Sequence, residues 1–168
     1  MDLEVRGKEQ RQHNLNTVKS HHSISDIAEI KPLLTRAEMM VRINSWYEGS
    51  QKEIDEVIEA GADIIMLPYW MTVEEVRSFI DAVHGRCRTS LLLETKEAVD
   101  IIDHVLALGG FDEIHIGLND LHLSYGMSFM FIVNKMVFDK FYAQSAENGR
   151  KIVQIVQNNP VFSGQAAA

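Results

Sequence analysis

Two carboxylates, Glu94 and Asp120, each follow an apolar run of the chain. Residues 89–93 form the first run and residues 113–116 the second, and apolar residues at helical spacing lie between them, which indicates a strand, a helix and a second strand. A parallel crossover places such strands side by side and in one direction, so both carboxylates should emerge at one rim of the sheet. Oxygen ligands suit Mg²⁺ or Mn²⁺. The pattern predicts a divalent-metal site, and the alternative is that both acids only stabilise helix N-termini.

A regular interval positions these residues. The same interval of 26 residues separates Arg42 from Pro68, Pro68 from Glu94 and Glu94 from Asp120, and each of these residues marks a predicted strand end. Equal βα units with apolar strands predict an α/β fold of the (β/α)8 TIM-barrel type. Roughly five units can be counted where a closed barrel has eight, so we expect an incomplete barrel. We place this partial barrel domain at residues 1–148 and a divergent C-terminal tail at residues 149–168.

Helix starts and stops support this division into units. Capping patterns are present at Ser23–Asp26, Ser50–Glu53 and Thr72–Glu75, and the following helices should stop near Gly61 and Gly85 in the second and third cases. One helix is predicted between the two acid-bearing strands. Residues 151–156 are compatible with a last strand or a short helix.

Composition narrows the classes of partner. The 168 residues carry a net charge of −8, which argues against a sequence-independent grip on nucleic acid or an anionic membrane and favours small-molecule partners. No run approaches the roughly 18 apolar residues of a membrane helix. The single Cys87 cannot form an internal disulfide, so we expect a packed thiol and a cytoplasmic protein.

Four motifs together resemble the HpcH/HpaI aldolase/citrate lyase family. They lie at Val41–Asn44, Glu59–Pro68, Leu93–Ala98 and Ile116–Leu121, and the similarity runs from roughly residue 2 to residue 131. The resemblance implies a (β/α)8 barrel that holds Mg²⁺ or Mn²⁺. It also implies that a carbon–carbon bond is made or broken in a 2-oxo acid or an acyl-CoA thioester.

The resemblance assigns roles to five residues. The family's metal-binding glutamate and aspartate fall on Glu94 and Asp120, and its strand-end arginine, a catalytic residue that contacts substrate oxygens, falls on Arg42. Leu118 and Asn119 of the last motif are expected to bind substrate. Arg42 could instead be an ordinary salt-bridge residue.

The sequence departs from the family pattern at two positions. Leu92 stands where some aldolases have a polar residue, and Leu118 stands where proline is frequent. The early Asp2-Leu3-Glu4 resembles the acidic end of the family's second strand. These departures leave the substrate open.

Histidines are the candidates for a general base, because their ordinary pKa lies near neutrality. His13, His21 and His22 occupy the loop from which the family often supplies a base, and we select His22, although a solvated polar loop is an equal alternative. His115 lies inside a strand and is expected to be packed. His122 lies beside Asp120 and could contact ligand.

These observations lead to one leading expectation and two alternatives. The leading one is a metal-dependent class II aldolase, forming homo-oligomers, that reversibly cleaves a 4-hydroxy-2-oxo acid to pyruvate and an aldehyde. A citryl-CoA-type lyase is the nearest enzymatic alternative. The third reading is an inactive partial barrel whose uncovered strands make it self-associate.

Overall fold

The computed structural model describes residues 1–6 and 22–126, and the backbone of a strand at Gln154–Val156. Helices and strands alternate along the described chain, as the sequence predicted. In chain order they are α1 (Ile24–Ile30), a 3-10 turn (Lys31–Leu33), β1 (Met40–Arg42), α2 (Ser50–Glu59), β2 (Ile64–Leu67), α3 (Val73–Val83), β3 (Arg88–Leu93), α4 (Lys96–Asp100), α5 (Ile102–Leu108), β4 (Glu113–Gly117), α6 (Leu118–Ser124) and β5 (Gln154–Val156).

The five strands form one parallel sheet in sequential order, β1-β2-β3-β4-β5. Parallel neighbours joined by helical crossovers are the wall of a (β/α) barrel, so the predicted α/β fold and partial barrel are confirmed. Residues 154–156 form a strand rather than the alternative helix, and His115 pairs with Gln154. The predicted boundary between residues 148 and 149 lies outside the described residues and stays a prediction.

Alternate residues of the strands point to opposite faces of the sheet. One face carries the hydrophobic core with the helices, through side chains such as Val41, Ile65 and Ile114, and α3 adds the fully buried Phe79 to this core. The other face, which we call the inner face, carries polar residues as well as apolar ones. Its buried polar members are Ser90, Glu113 and His115. The strand-end residues Arg42 and Glu94 continue the inner-face alternation.

The 26-residue interval does not coincide with the strand pairing. Arg42 pairs with Met66 of β2, so Pro68 lies two residues further along than the partner of Arg42. Leu92 pairs with His115, whereas Glu94 and Asp120 lie beyond these residues, towards the carboxyl ends of β3 and β4. From one strand to the next, the residues at the 26-residue interval therefore lie further towards the carboxyl rim of the sheet.

The helix caps confirm two predictions and correct one. Asp26 and Ser23 form the expected capping box of α1, and in α3 Thr72 Oγ1 accepts from the Glu75 N–H at 3.2 Å. The box predicted at Ser50–Glu53 is wrong, because Gly49 is the N-cap of α2. Ser50 Oγ instead accepts from the Tyr47 N–H, and Glu53 Oε1 accepts from Asn44 at 3.1 and 2.8 Å. The Glu53 carboxylate therefore bonds to Asn44, outside the helix, rather than to the N-terminus of α2.

Two other features differ in detail from the sequence prediction. The single helix expected between β3 and β4 is two helices, because Ile101, with φ −103° and ψ 6°, interrupts the helical backbone. The left-handed residue that ends α3 is His84, with Gly85 following it in the same region of φ. None of the helices in the described part of the chain is long and apolar enough to cross a membrane. Burial raises the pKa of the half-buried Cys87 thiol, which suits a packed thiol rather than a nucleophile.

Candidate active site at the carboxyl rim

The N-terminal segment lies beside β1 and brings Asp2 next to Arg42. The Leu3 N–H donates to the Arg42 carbonyl at 2.9 Å, and the Arg42 N–H donates to the Met1 carbonyl at 3.0 Å. Asp2 and Arg42 thereby form a parallel bridge. Residues paired in this way project to the same face of a sheet, so both side chains meet at the inner face.

Arg42 is held by two acids. Its Nε and Nη2 donate to the two carboxylate oxygens of Asp2 at 2.9 and 2.5 Å, and its Nε lies 3.6 Å from Oε2 of Glu4. Burial alone would lower the pKa of Arg42, but the hydrogen bonds to Asp2 and the charges of Asp2, Glu4 and Glu94 raise it above its ordinary value. The guanidinium is thus a permanent, oriented positive charge at the strand end.

Glu94 is a buried carboxylate at the end of β3. Its side chain is 4% exposed, and Oε1 accepts a hydrogen bond from the Tyr69 N–H at 3.0 Å. Tyr69 follows β2 and has a φ of +50°, an uncommon backbone conformation for a residue other than glycine. Through this hydrogen bond, the β2–α3 loop fixes the orientation of the carboxylate.

Gly117 makes room for Glu94 on the neighbouring strand. A Cβ atom at position 117 would lie 3.0 Å from the Glu94 Cβ and 3.2 Å from its Oε2. Any side chain here would press on the carboxylate. The glycine that closes β4 in sequence therefore has a second role, which is the close approach of two strand ends around Glu94.

A second pair of hydrogen bonds joins the loops that flank Glu94. The Thr95 hydroxyl donates to the Trp70 carbonyl at 3.1 Å and accepts from the Ala98 N–H at 3.1 Å, which caps α4. Thr95 is 1% exposed. These hydrogen bonds therefore connect the loop after β2 to the loop after β3 directly beside Glu94, the candidate metal-binding residue.

Asp120 lies in the first turn of α6, three residues after the end of β4. Its Oδ1 accepts from Nδ2 of Asn119 at 3.2 Å, and both side chains are half-buried. The side chain of Leu118 is 1% exposed and belongs to the hydrophobic core. Any contact between Leu118 and a substrate would therefore come from its backbone. The substrate roles of Leu118 and Asn119 stay predictions.

The structure separates the histidine candidates. His22 reaches the site, because its Nδ1 accepts from the Asp2 N–H at 3.1 Å. This contact leaves the proton of a neutral ring on Nε2, so His22 must give up the Asp2 bond to use Nδ1 as a base. His115 is buried, with its Nε2 3.5 Å from Oε1 of Glu113, and His122 Nδ1 lies 3.2 Å from the Leu118 carbonyl. His13 and His21 lie outside the described residues.

Asp2, Glu4 and Glu94 place three carboxylates around Arg42, and Asp120 follows the neighbouring strand, β4. Glu4 and Glu94 are each 4% exposed. Burying acids is unfavourable unless positive charge compensates them. Carboxylate oxygens are the ligands that Mg²⁺ and Mn²⁺ prefer, so the chemistry of these side chains suits a divalent cation.

A family model described as HpcH/HpaI aldolase/citrate lyase matches residues 17–145, which is more than half of the chain. The chain belongs to the HpcH/HpaI aldolase/citrate lyase family. Family membership supports carbon–carbon lyase chemistry at the level of the family. No curated protein matches the sequence significantly.

Solved structures of the aldolase/citrate lyase family share the fold at low sequence identity. An HpcH/HpaI aldolase from Desulfitobacterium hafniense DCB-2 is 15% identical, with a TM-score of 0.70 over 97% of this chain and 79% of that one. A family protein from Burkholderia cenocepacia J2315 is 14% identical, with a TM-score of 0.68 over 96% of this chain and 81% of that one. The citrate synthase SbnG is 17% identical, with a TM-score of 0.69 over 86% of this chain and 67% of that one.

Members of the aldolase/citrate lyase family typically depend on a divalent metal, and the donor set here fits one. Within residues 1–6 and 22–126, no three His, Cys, Asp or Glu side chains are grouped as a complete metal cage. Mg²⁺ rarely needs such a cage, because it keeps several waters and is held by one or two carboxylates together with substrate oxygens. Glu94 and Asp120, at neighbouring strand ends, are the residues that would hold it.

Proposed function

We propose that the chain is a metal-dependent carbon–carbon lyase of the class II aldolase type, which reversibly cleaves a 4-hydroxy-2-oxo acid to pyruvate and an aldehyde. The observation that carries the proposal is the buried Glu94 carboxylate, oriented by Tyr69, accommodated by Gly117 and faced by the charge of Arg42. A carboxylate that serves only a helix N-terminus needs none of these three features.

Glu94 and Asp120 would hold Mg²⁺ or Mn²⁺ in this proposal. When bound, the metal supplies positive charge at the 2-oxo oxygen of the substrate, where negative charge develops as the carbon–carbon bond breaks. The protein's own contribution is to present two carboxylates from adjacent, rigid strand ends. The remaining coordination positions are left for substrate oxygens and water, as a 2-oxo acid requires.

Arg42 would bind the oxygens of the 2-oxo acid and stabilise the developing charge. Its guanidinium is fixed by Asp2 and Glu4 before substrate arrives, so no reorganisation is needed during the reaction. Asn119 and the backbone of Leu118, at the start of α6, would contact the substrate at the other side of the site. These roles are part of the proposal.

His22 is the proposed general base, and its distance from Asp2 supports its presence at the site. Deprotonating the 4-hydroxyl group requires a ring nitrogen with a free lone pair. Nδ1 becomes such a nitrogen when its bond from the Asp2 N–H opens. His122 is the second candidate, because a proton donated from Nδ1 to the Leu118 carbonyl leaves Nε2 as an acceptor.

A related activity on citrate-like substrates is the alternative enzyme class, favoured by the similarity to a protein named citrate synthase. In that alternative the same carboxylates and arginine would act on a larger substrate. Cytoplasmic location and homo-oligomer formation, both expected from sequence, are part of the proposal as well.

Titration calorimetry with Mn²⁺ tests the proposal, with and without oxalate as a planar mimic of the 2-oxo carboxylate. The parent protein should bind Mn²⁺, and oxalate should tighten that binding. Glu94→Ala and Asp120→Ala should each remove it. Glu38→Ala is the matched control, since Glu38 pairs with Arg88 far from Glu94 at the opposite rim.

The enzyme class follows from a second assay on the same proteins. Retro-aldol cleavage that releases pyruvate from a 4-hydroxy-2-oxo acid supports the aldolase, and cleavage only of a citryl thioester supports the alternative. Absence of Mn²⁺ binding by the folded parent would reject both and leave the self-associating inactive barrel.

A further inference from the structure

The residues that the structure describes use only part of the Arg42 guanidinium. Nε and Nη2 donate to Asp2, whereas Nη1 makes no hydrogen bond within the described part of the chain. The side chain is 23% exposed. Asp2 therefore occupies one edge of the fork, and among the described residues no acceptor occupies the Nη1 group, which could bind a ligand.

Asp2 is itself held in place. Its Oδ1 also accepts from the Glu4 N–H at 3.1 Å, and its backbone N–H donates to His22 at 3.1 Å. The parallel bridge with Arg42 fixes its Cα relative to β1. The carboxylate therefore has little freedom to follow the guanidinium if that group moves.

The chain beyond Asp2 is anchored by a buried amide. Oδ1 of Asn44 accepts from the Val5 and Arg6 N–H groups, each at 3.0 Å, and Nδ2 of Asn44 donates to Glu53 at 2.8 Å. Asn44 is 8% exposed. The segment that carries Asp2 is thus fastened to β1 on one side and to α2 on the other.

We propose that Asp2 is a positioning residue that acts through Arg42: its bidentate grip sets the guanidinium plane so that the unused N–H groups face the oxygens of a 2-oxo carboxylate. This inference rests on the proposed function, because it assigns Asp2 to the same site. A planar fork recognises a planar carboxylate only in a narrow range of orientations, so fixing one edge of the fork selects the approach of the other.

The contrasting role is purely structural, in which Asp2 only fastens the N-terminal segment. Both roles predict some loss of stability when Asp2 is changed. Only the positioning role predicts that the effect on ligand binding disappears once Arg42 can no longer form the fork. A double-mutant cycle separates the two.

The cycle uses the full chain as parent, Asp2→Asn, Arg42→Lys and the double variant, with Mn²⁺ and oxalate as probes. Mn²⁺ affinity is measured first by electron paramagnetic resonance, and oxalate affinity is then measured on the Mn²⁺-loaded protein. Asp2→Asn should weaken oxalate about tenfold and leave Mn²⁺ affinity alone within about twofold. The double variant should bind oxalate as Arg42→Lys does.

Asp63→Asn is the matched control. Asp63 likewise combines an ion pair, with Lys31, and a backbone hydrogen bond, from the Met39 N–H, but it precedes β2 at the amino rim. It should lower stability without changing oxalate affinity. Circular dichroism checks the fold, and if Asp2→Asn does not fold, Asp2→Glu replaces it, keeping the charge while displacing the fork by one methylene.

Three outcomes overturn the inference. Unchanged oxalate affinity in a folded Asp2 variant does so, and so does an Asp2 effect that persists in full on the Arg42→Lys background. The third is a parent that does not bind Mn²⁺, which rejects the proposed function and this inference with it. In the first two outcomes the parent still binds Mn²⁺ and oxalate, so the proposed function survives.

Discussion

The charged residues at the two rims of the sheet differ in burial and in pairing. At the amino rim, acids and bases form local pairs: Lys31 with Asp63, and Arg88 with Glu38. These side chains are at least 30% exposed, so water shares their charge. At the carboxyl rim, Glu4 and Glu94 are 4% exposed and share Arg42 with Asp2. At the amino rim the charges form exposed pairs, and at the carboxyl rim buried carboxylates gather around one guanidinium.

A cavity of about 540 Å³ at the amino rim sharpens this comparison. It is bordered by Arg86, Arg88, Asp63 and Asp112, and each of these has a partner within the protein. Size alone therefore does not make it the candidate site. What distinguishes the carboxyl rim is a set of buried carboxylates beside the strand ends.

The largest expected effect is metal-dependent stability. A metal that binds only the folded protein should stabilise it by about 2.7 kcal/mol at a free concentration a hundredfold above Kd. Differential scanning calorimetry with Mn²⁺ and then with excess chelator measures this gain and its reversal. Glu94→Gln should abolish it, while Asp63→Asn should retain it. Equal gains in both variants would contradict the contrast between the rims.

Two buried threonines offer a paired test of the loops. Thr95→Val removes the tie between the Trp70 carbonyl and the Ala98 N–H, and should cost about 2 kcal/mol in the free energy of unfolding. Thr89→Val, at the amino rim, removes bonds to Asp112, which water can replace, and should cost less. Urea unfolding measures both. The proposed role of the Thr95 hydrogen bonds is rejected if Thr89→Val lowers the free energy of unfolding more than Thr95→Val. It is also rejected if Thr89→Val alone weakens Mn²⁺ binding.

Glycine substitutions separate steric from conformational demands. Gly117→Ala places a Cβ 3.0 Å from Glu94 and should weaken Mn²⁺ binding about tenfold, because the carboxylate must shift. Gly85→Ala meets no atom within 4 Å but must adopt a φ of +69°. It should cost about 1 kcal/mol of stability and leave Mn²⁺ affinity unchanged. Calorimetric titration of the two variants would refute the assignment if their Mn²⁺ affinities were equal.

The smallest expected effect is the acid dependence of an amino-rim pair. The hydrogen bond from Lys31, and then that from the Met39 N–H, lowers the pKa of Asp63. A lowered folded-state pKa gives stability that is present above the unfolded value of about 4 and is lost as the pH falls through the folded value. At neutral pH the free energy of unfolding of the parent should exceed that of Asp63→Asn by about 1 kcal/mol. This difference should shrink below about pH 4. Urea unfolding from pH 3 to pH 7 measures this difference. A difference in stability that grows as the pH falls would contradict the prediction.

Much of the fold could be predicted because its determinants are local. Apolar runs define β2 and β3 almost to the residue, and Thr72–Glu75 forms the capping box expected of it. The prediction failed at Glu53 because a distant partner competed: its carboxylate accepts a hydrogen bond from Asn44 instead of capping α2. It also failed at Ile101, which interrupts a segment that periodicity predicts as one helix.

By itself, the sequence determined the type and order of the elements and the acids at the ends of β3 and β4, because alternation and capping act within a few residues. Tertiary structure alone decided that Asp2 grips Arg42, that Tyr69 in a left-handed conformation orients Glu94, and that Gly117 leaves space for it. The first two are hydrogen bonds between residues 40 and 25 positions apart, and the third is a steric fit between neighbouring strands. Such contacts depend on sheet register and loop closure, which no local pattern of residues encodes.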